Sequence, residues 1–315
     1  MSDLNGVLPV DKPEGPTSHD VVAAARRALG LRRIGHTGTL DPFATGLLLL
    51  CLGPSTRLAE YLTALPKSYS ATLRLGVATD TDDCTGEVVS TSDAWRTLTR
   101  EQVEAALRLQ VGEILQRPPS YSAKTVEAAL RRQVGEILQR PPAYSAKKVE
   151  GERMYAAARR GVAVEREPVA VTIRAIRVLR YDPPEVDLEV DCESGTYIRA
   201  IARDAGEALG VGGHLTRLRR TRVGDHAVTD ALPLERLPDA AAVADALLTP
   251  AEALRHLPAV VVPAEGVGML LNGRGIPAPE EAPQGRPLAL LSSGGELLAV
   301  GERVGSEIRP RKVFA

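Results

Sequence analysis

Between Gly46 and Gly53 the chain reads LLLLCL, six apolar residues without a polar interruption. So short a run, bounded by glycines, is a buried strand or helix segment. Whatever the fold, this element lies at its centre. Just before it stands GHTGTLDPFATG, a Gly- and Thr-rich loop with one carboxylate, Asp41, and with His36 near its start. A carboxylate beside a buried element is costly unless a cation or hydrogen-bond donors meet it. The remaining chain has to supply that partner. Taken alone, an Asp before Pro is most often a turn residue, and a single His is more often structural than catalytic.

Local patterns predict the surrounding elements. GVLPVDK reads as a short strand before a Pro/Gly turn. Thr17 and Asp20 form a capping-box pattern, and Val21, Val22, Ala25, Ala28 and Leu29 make an apolar helical stripe that stops at Gly30. YSATLRLGVAT alternates, with Tyr69, Ala71, Leu73, Leu75 and Val77 on one face. VDLEVDCES alternates through Val186, Leu188, Val190 and Cys192. After a Ser194-Gly195 turn, Ile198, Ile201, Ala205 and Leu209 predict a helix ending at Gly210. Arg199 falls in that helix's first turn, where a cation opposes the macrodipole. An anion against the guanidinium would relieve this, and Asp41 is a natural candidate; the alternative is a side chain that reaches to solvent.

From Arg199 to Arg222 there are six Arg and only two acids, Asp204 and Glu207. This is a local basic patch suited to phosphates, or else a solvated charged edge strand. The acidic stretch TDTDDCTGE has Thr85 and Thr91 where an EF-hand requires Gly and Glu, so it reads as a solvated turn between strands. Beyond Asp230 the Ala/Leu/Pro-rich sequence suggests helical turns and a linker, followed by a small β-rich tail from Val260.

One feature is anomalous. VEAALRLQVGEILQRPPSYSAK (103–124) is followed by VEAALRRQVGEILQRPPAYSAK (126–147), a tandem duplication or an assembly error. Thr99 and Gln102 supply a helix start for the first copy. The second copy runs on into KKVEGERMYAAARRG, so its PPAYSAK is expected to take the native seat, with the first copy competing for the same contacts.

The 315 residues carry a net charge of −1, which neither predicts nor excludes a nucleic-acid partner. Cys51, Cys84 and Cys192 are far apart; neither a zinc site nor a disulfide framework is indicated. The amino-terminal stretch lacks a signal-peptide pattern, and nothing reaches the length of a membrane span, so a soluble cytoplasmic protein is expected.

These blocks together resemble the bacterial TruB-type tRNA pseudouridine synthases. The signature G-H-x-G-x-L-D-P-x-A-x-G is reproduced from Gly35 to Gly46. GVLPVDKPEGPTS, KSYSATLRLG, TDTDDCTGE, PPAYSAKKVEGERMYAAARRG, SGTYIRAIARDAGEALG and LTRLRRTRVG fall in the same order, over nearly the whole chain. The resemblance implies an α+β fold, with a mixed, mostly antiparallel central sheet and flanking helices, plus a small β-rich PUA-like module. Residues 1–245 would be the catalytic domain, containing the duplicated segment 103–147, and 256–315 an RNA-binding module. It further implies that Asp41 is the catalytic aspartate, Tyr69 the tyrosine that packs on the target base, and Arg199 the arginine paired with the aspartate. Lys12 and Tyr197 would line the pocket, Leu218 would be its apolar wall, and His36 would contact the RNA where uridine flips out. Arg217, Arg219 and Arg220 would bind RNA.

The implied reaction isomerises uridine 55 in the T-loop of tRNA. It involves no oxidation and no external group, so neither a cofactor nor a metal is expected. Attack by Asp41 on the uracil ring and attack on the sugar carbon both fit. The partner would be the T-arm stem-loop of tRNA, bound by a monomer without guide RNA. The competing readings are an RNA-binding or chaperone protein with weak or lost catalysis, and a guide-dependent synthase. A glycosidase is disfavoured because that chemistry usually needs two carboxylates.

Overall fold

The computed structural model describes residues 4–117 and 169–314. In chain order, the elements that place the site are β1 (Gly6–Lys12), α1 (Ser18–Leu29), β2 (Ile34–His36), β3 (Thr45–Leu52), β4 (Lys67–Leu75), β5 (Val77–Thr79), β6 (Val88–Thr91), α2 (Arg100–Arg108), β7 (Gly112–Gln116), β8 (Val169–Asp182), β9 (Glu185–Cys192), α3 (Ile198–Ala208) and β10 (Gly213–Val223). The chain forms two compact units, Met1–Ser68 with Arg219–Ala315, and Tyr69–Leu218. The division passes through β4 and β10.

In the first unit the apolar run forms β3. All seven residues of β1 pair antiparallel with it, from Gly6↔Leu52 to Lys12↔Gly46. β2 pairs antiparallel with its end, and Arg219 and Arg220 of β10 pair parallel with Thr45 and Gly46. Leu47 to Leu52 are fully buried because both faces of the strand are covered. Leu48, Leu50 and Leu52 pack with Val21, Val22, Ala25 and Leu29 of α1. Leu47, Leu49 and Cys51 pack with Leu58, Leu62 and the tail residues Ala289, Leu297, Val300 and Phe314. Helix α1 starts at the expected capping box, Thr17 with Asp20, and stops at Gly30.

The segment after Asp230 is core rather than linker. Leu232–Pro233 pairs parallel with β1, and Val7 and Leu248 exchange two backbone hydrogen bonds of 2.9 Å. Leu232, Leu237, Ala242 and Val243 complete the cluster over α1. These aliphatic residues close a face that α1 alone leaves open. The tail is a five-stranded sheet in the order Ala259–Val261, Pro287–Leu291, Leu297–Val304, Glu307–Val313, Ile276–Pro277, with its own apolar cluster around Leu270, Leu288, Leu290 and Ile308.

In the second unit the strand order is β4-β9-β8-β7, with β10 beside β4, and β5 and β6 form a separate hairpin. The predicted alternation holds: Val186, Leu188, Val190 and Cys192 of β9 are buried, as are Tyr69, Ala71, Leu73 and Leu75 of β4. Thr72, on the other face of β4, is also buried and donates to Asp187 Oδ1 at 2.7 Å. β7 and most of α2 come from the first copy of the repeat, and α2 starts just before it at the Thr99–Gln102 capping box. The second copy, including the PPAYSAK expected in the native seat, lies outside the described residues.

The register of β3 on β10 depends on Gly46, whose φ is +102°. A Cβ there would collide with the carbonyl oxygen of Arg220 and lie 2.8 Å from its nitrogen. Gly46→Ala should therefore cost about 3 kcal/mol of stability, read from the denaturation midpoint. An unchanged midpoint would contradict this register.

Candidate active site

The loop between β2 and β3 has almost no secondary structure, and the side chains of Ser18, Lys12 and Arg220 brace it. Ser18, at the start of α1, accepts from Leu40 N–H at 2.9 Å and donates to Leu40 C=O at 3.2 Å. Lys12 ends β1 fully buried, and its ammonium donates to the carbonyls of Pro13 (3.0 Å), Pro42 (3.2 Å) and Ala44 (2.6 Å). Arg220, also buried, donates from Nε to Leu47 C=O at 2.7 Å and from Nη2 to Gly38 C=O at 3.1 Å. Asp41 sits half-buried at the turn between these braces, and its own carbonyl accepts from Ala44 N–H at 3.1 Å. Burial lowers Lys12 to about 8, while the charges of Asp41 and Glu14 pull the other way. Lys12 thus lies in the field of Asp41.

His36 is half-buried, with its ring edge-on to His19 at a centroid distance of 5.3 Å. Burial, then the charges of His19 and Arg220, depress its pKa to about 4. At neutral pH it is an uncharged ring, able to stack or to form a hydrogen bond but not to neutralise a phosphate.

β10 is an interior strand rather than a charged edge. Its arginines differ in burial, and the two-residue period of a strand does not by itself sort them, since Arg220 and Arg222 share one face and only Arg220 is buried. Arg219 is partly exposed and forms a forked pair with Asp11, at 3.0 and 2.7 Å. Arg220 points inward to the loop carbonyls. Arg217, in the second unit, and Arg222, in the first, are exposed.

The second unit holds Tyr69, Tyr197, Arg199, Arg217 and Leu218. Tyr69 and Leu218 are buried, each 7% exposed. Tyr197 is the N-cap of α3, and Arg199, the second residue of the helix, is buried in its first turn. Nη1 of Arg199 donates to Thr81 C=O at 2.8 Å and lies 3.2 Å from Asp83 Oδ2. Asp83 is fixed in turn, because its Oδ1 accepts from Thr81 Oγ1 (2.8 Å), Thr85 N–H (2.9 Å) and Thr85 Oγ1 (2.6 Å). Beside it Asp82 adopts φ +62° and meets Arg203 Nη1 at 3.1 Å. Burial pushes Asp82 up to about 6, against the pull of Arg203 and Arg199.

TDTDDCTGE is therefore a turn between β5 and β6 as expected, but not a solvated one. Its central acids are buried because α3 presents two cations to them. Sequence reasoning misses Asp83, which pairs with Arg199, and Arg203, which pairs with Asp82. The available signal was Arg199 and Arg203 at i and i+4, one helix face with two cations, opposite two consecutive aspartates. Among the described residues, no group of three or more His, Cys, Asp or Glu side chains could hold a metal ion.

Residues 26–129 and 124–198 match the model of the TruB family pseudouridylate synthase N-terminal domain, and residues 199–267 that of the tRNA pseudouridylate synthase B C-terminal domain. The chain belongs to the TruB family of pseudouridylate synthases. It is accordingly an isomerase. The two N-terminal matches of this TruB chain overlap at residues 124–129, at the junction of the two copies of the repeat. It is 41% identical to tRNA pseudouridine synthase B of Arthrobacter sp. (strain FB24), over 99% of this chain and 97% of that protein. With the same protein of Corynebacterium efficiens it shares 42% identity over 94% of each. Among solved structures it resembles a chain of a Cbf5-Nop10-Gar1 complex (TM-score 0.71, 26% identity, 98% of this chain and 85% of that one). It also shares the fold of a chain of an H/ACA RNP bound to a substrate RNA containing 2′-deoxyuridine (TM-score 0.72, 24% identity, 98% and 85%).

The depressed pKa of His36 gives a direct check. In an NMR titration its imidazole should stay neutral through pH 5 and protonate near 4. Because its folded pKa lies below the unfolded 6.5, protonation favours unfolding, so this contribution to stability is lost as pH falls from about 6.5 toward 4. A midpoint near 6.5 would contradict the described burial.

Proposed function

We propose that the chain converts uridine 55 in the T-loop of tRNA to pseudouridine. The observation that carries this reading is the braced loop presenting Asp41, in a chain whose α3 starts with a rigidly held Arg199. The tRNA substrate is inferred from the relatives, which are tRNA pseudouridine synthases B.

In this reading the target uridine leaves its stack, as for other enzymes that modify bases. The bond from C1′ to N1 breaks, the uracil turns, and a bond from C1′ to C5 forms. The hydrogen on C5 leaves as a proton, and N1 gains one. Atoms and electrons balance without a cofactor. Asp41 acts as the nucleophile, Arg199 pairs with it and keeps it ionised, and Tyr69 stacks on the base. Leu218 and Tyr197 line the pocket, and neutral His36 contacts the RNA beside the flipped nucleotide. Arg217 and Arg219 bind the RNA, whereas Lys12 and Arg220 act by holding the loop. Residues 1–245 form the catalytic domain, and the module at 256–315 adds RNA contacts. The enzyme works as a cytoplasmic monomer without guide RNA.

The test is release of tritium from a T-arm stem-loop labelled at uracil C5. The wild type should release it, and Asp41→Asn should reduce turnover by more than about 10³-fold with binding nearly unchanged. Binding without release by the wild type would favour the second reading, an RNA-binding protein of the same fold. Equal loss of binding and turnover in Asp41→Asn would remove Asp41 from the chemistry.

A further inference from the structure

β7 ends on Gln116, whose side chain is completely buried. Its amide grips the backbone of one residue at two points. Oε1 accepts from Tyr197 N–H at 2.8 Å, and Nε2 donates to Tyr197 C=O at 3.0 Å. Tyr197 is the N-cap of α3 and has no side-chain cap of its own, so Gln116 caps this helix from a neighbouring strand. Arg199 follows two residues later.

The same strand end is tied to α3 a second time. Arg203, one turn beyond Arg199, donates from Nη2 to Arg117 C=O at 2.9 Å and from Nη1 to Asp82 at 3.1 Å. Asp82 adjoins Asp83, which meets the guanidinium of Arg199. The contacts therefore close a ring: Gln116 to Tyr197, along α3 to Arg199, across to Asp83 and Asp82, on to Arg203, and back to Arg117. Asp83 and Thr81 fix the tip of Arg199, and Gln116 fixes the backbone from which it springs.

We propose that Gln116 is a positioning residue for Arg199, setting the first turn of α3 so that the guanidinium is held in its working place. This rests on the reading of Arg199 as a catalytic residue. Only an uncharged primary amide of this length suits the site. Asn is a methylene short, and an ionised Glu accepts but cannot donate to Tyr197 C=O. A misplacement of about 1 Å at a reacting group can cost about 10²-fold in rate.

The test uses the full-length chain and the T-arm stem-loop. Gln116→Met keeps the volume and removes both hydrogen bonds. It should lower kcat about 10- to 100-fold with KM nearly unchanged, and should speed amide hydrogen exchange at Tyr197 to Arg199. Gln110→Met is the comparison for general destabilisation, since it deletes a 3.2 Å bond from Gln110 to the carbonyl of Ile201 in the same helix. It should leave kcat near wild type. Gln139 occupies the same place in the second copy of the repeat, and Gln139→Met should also leave kcat near wild type. Unchanged exchange in Gln116→Met, or faster exchange with unchanged kcat, would overturn the positioning role. So would sensitivity at Gln139 in place of Gln116. A wild type that turns over nothing, with Gln116→Met still speeding exchange, would instead overturn the functional reading.

Discussion

A buried ammonium or guanidinium loses several kcal/mol of hydration and must regain it from oxygen atoms at close range. For Lys12 and Arg220 three of those oxygens are carbonyls of the loop that carries Asp41, those of Gly38, Pro42 and Ala44. Lys12 uses all three of its donors on Pro13, Pro42 and Ala44, and Arg220 reaches Gly38 and Leu47. The dependence is mutual: the cations cannot be buried unless the loop folds back on them, and their bonds help to hold the loop's shape. Its Gly- and Thr-rich composition follows, because such a chain can turn its carbonyls inward while Asp41 stays at the surface of the turn.

The second unit solves the same problem with charge. Arg199 and Arg203 are buried against Asp83 and Asp82, and hydroxyls and a backbone N–H satisfy the remaining valences of Asp83. Such a pair is costly to assemble, and its use here is geometric: it leaves the Arg199 side chain little freedom. The two segments are thus held for opposite reasons, one by cations on neutral carbonyls and the other by cations on carboxylates.

The framework was legible in the sequence wherever period and capping agreed. The LLLLCL run, the Thr17 and Thr99 capping boxes, and the alternation through Tyr69 and Val186 all appear as read. Three features were not legible, each for a physical reason. The segment from Asp230 to Leu257 looks like a linker because its Ala and Leu residues acquire meaning only against α1 and β1. The charge of Asp82 and Asp83 reads as solvated until α3 supplies its arginines from more than a hundred residues away. Arg220 reads like its neighbours Arg219 and Arg222, since neither composition nor the strand period sets it apart from Arg222, and only the carbonyls of Gly38 and Leu47, folded over its guanidinium, do so. The residues named for the site, Asp41, Tyr69 and Arg199, came from motif order. Spacing alone favoured a turn residue at Asp41 and left a solvated side chain open at Arg199.

The central claim is that Asp41 and Arg199 serve one reaction at one uridine. The most direct measurement is position-resolved mapping of pseudouridine in an unmodified full-length tRNA transcript under single-turnover conditions, comparing the wild type with Arg199→Lys. The account predicts conversion at uridine 55 by the wild type and a rate at least about 10²-fold lower for Arg199→Lys, because lysine keeps the charge but loses the planar fork. Conversion at other uridines only, or an Arg199→Lys enzyme as fast as the wild type, would contradict it.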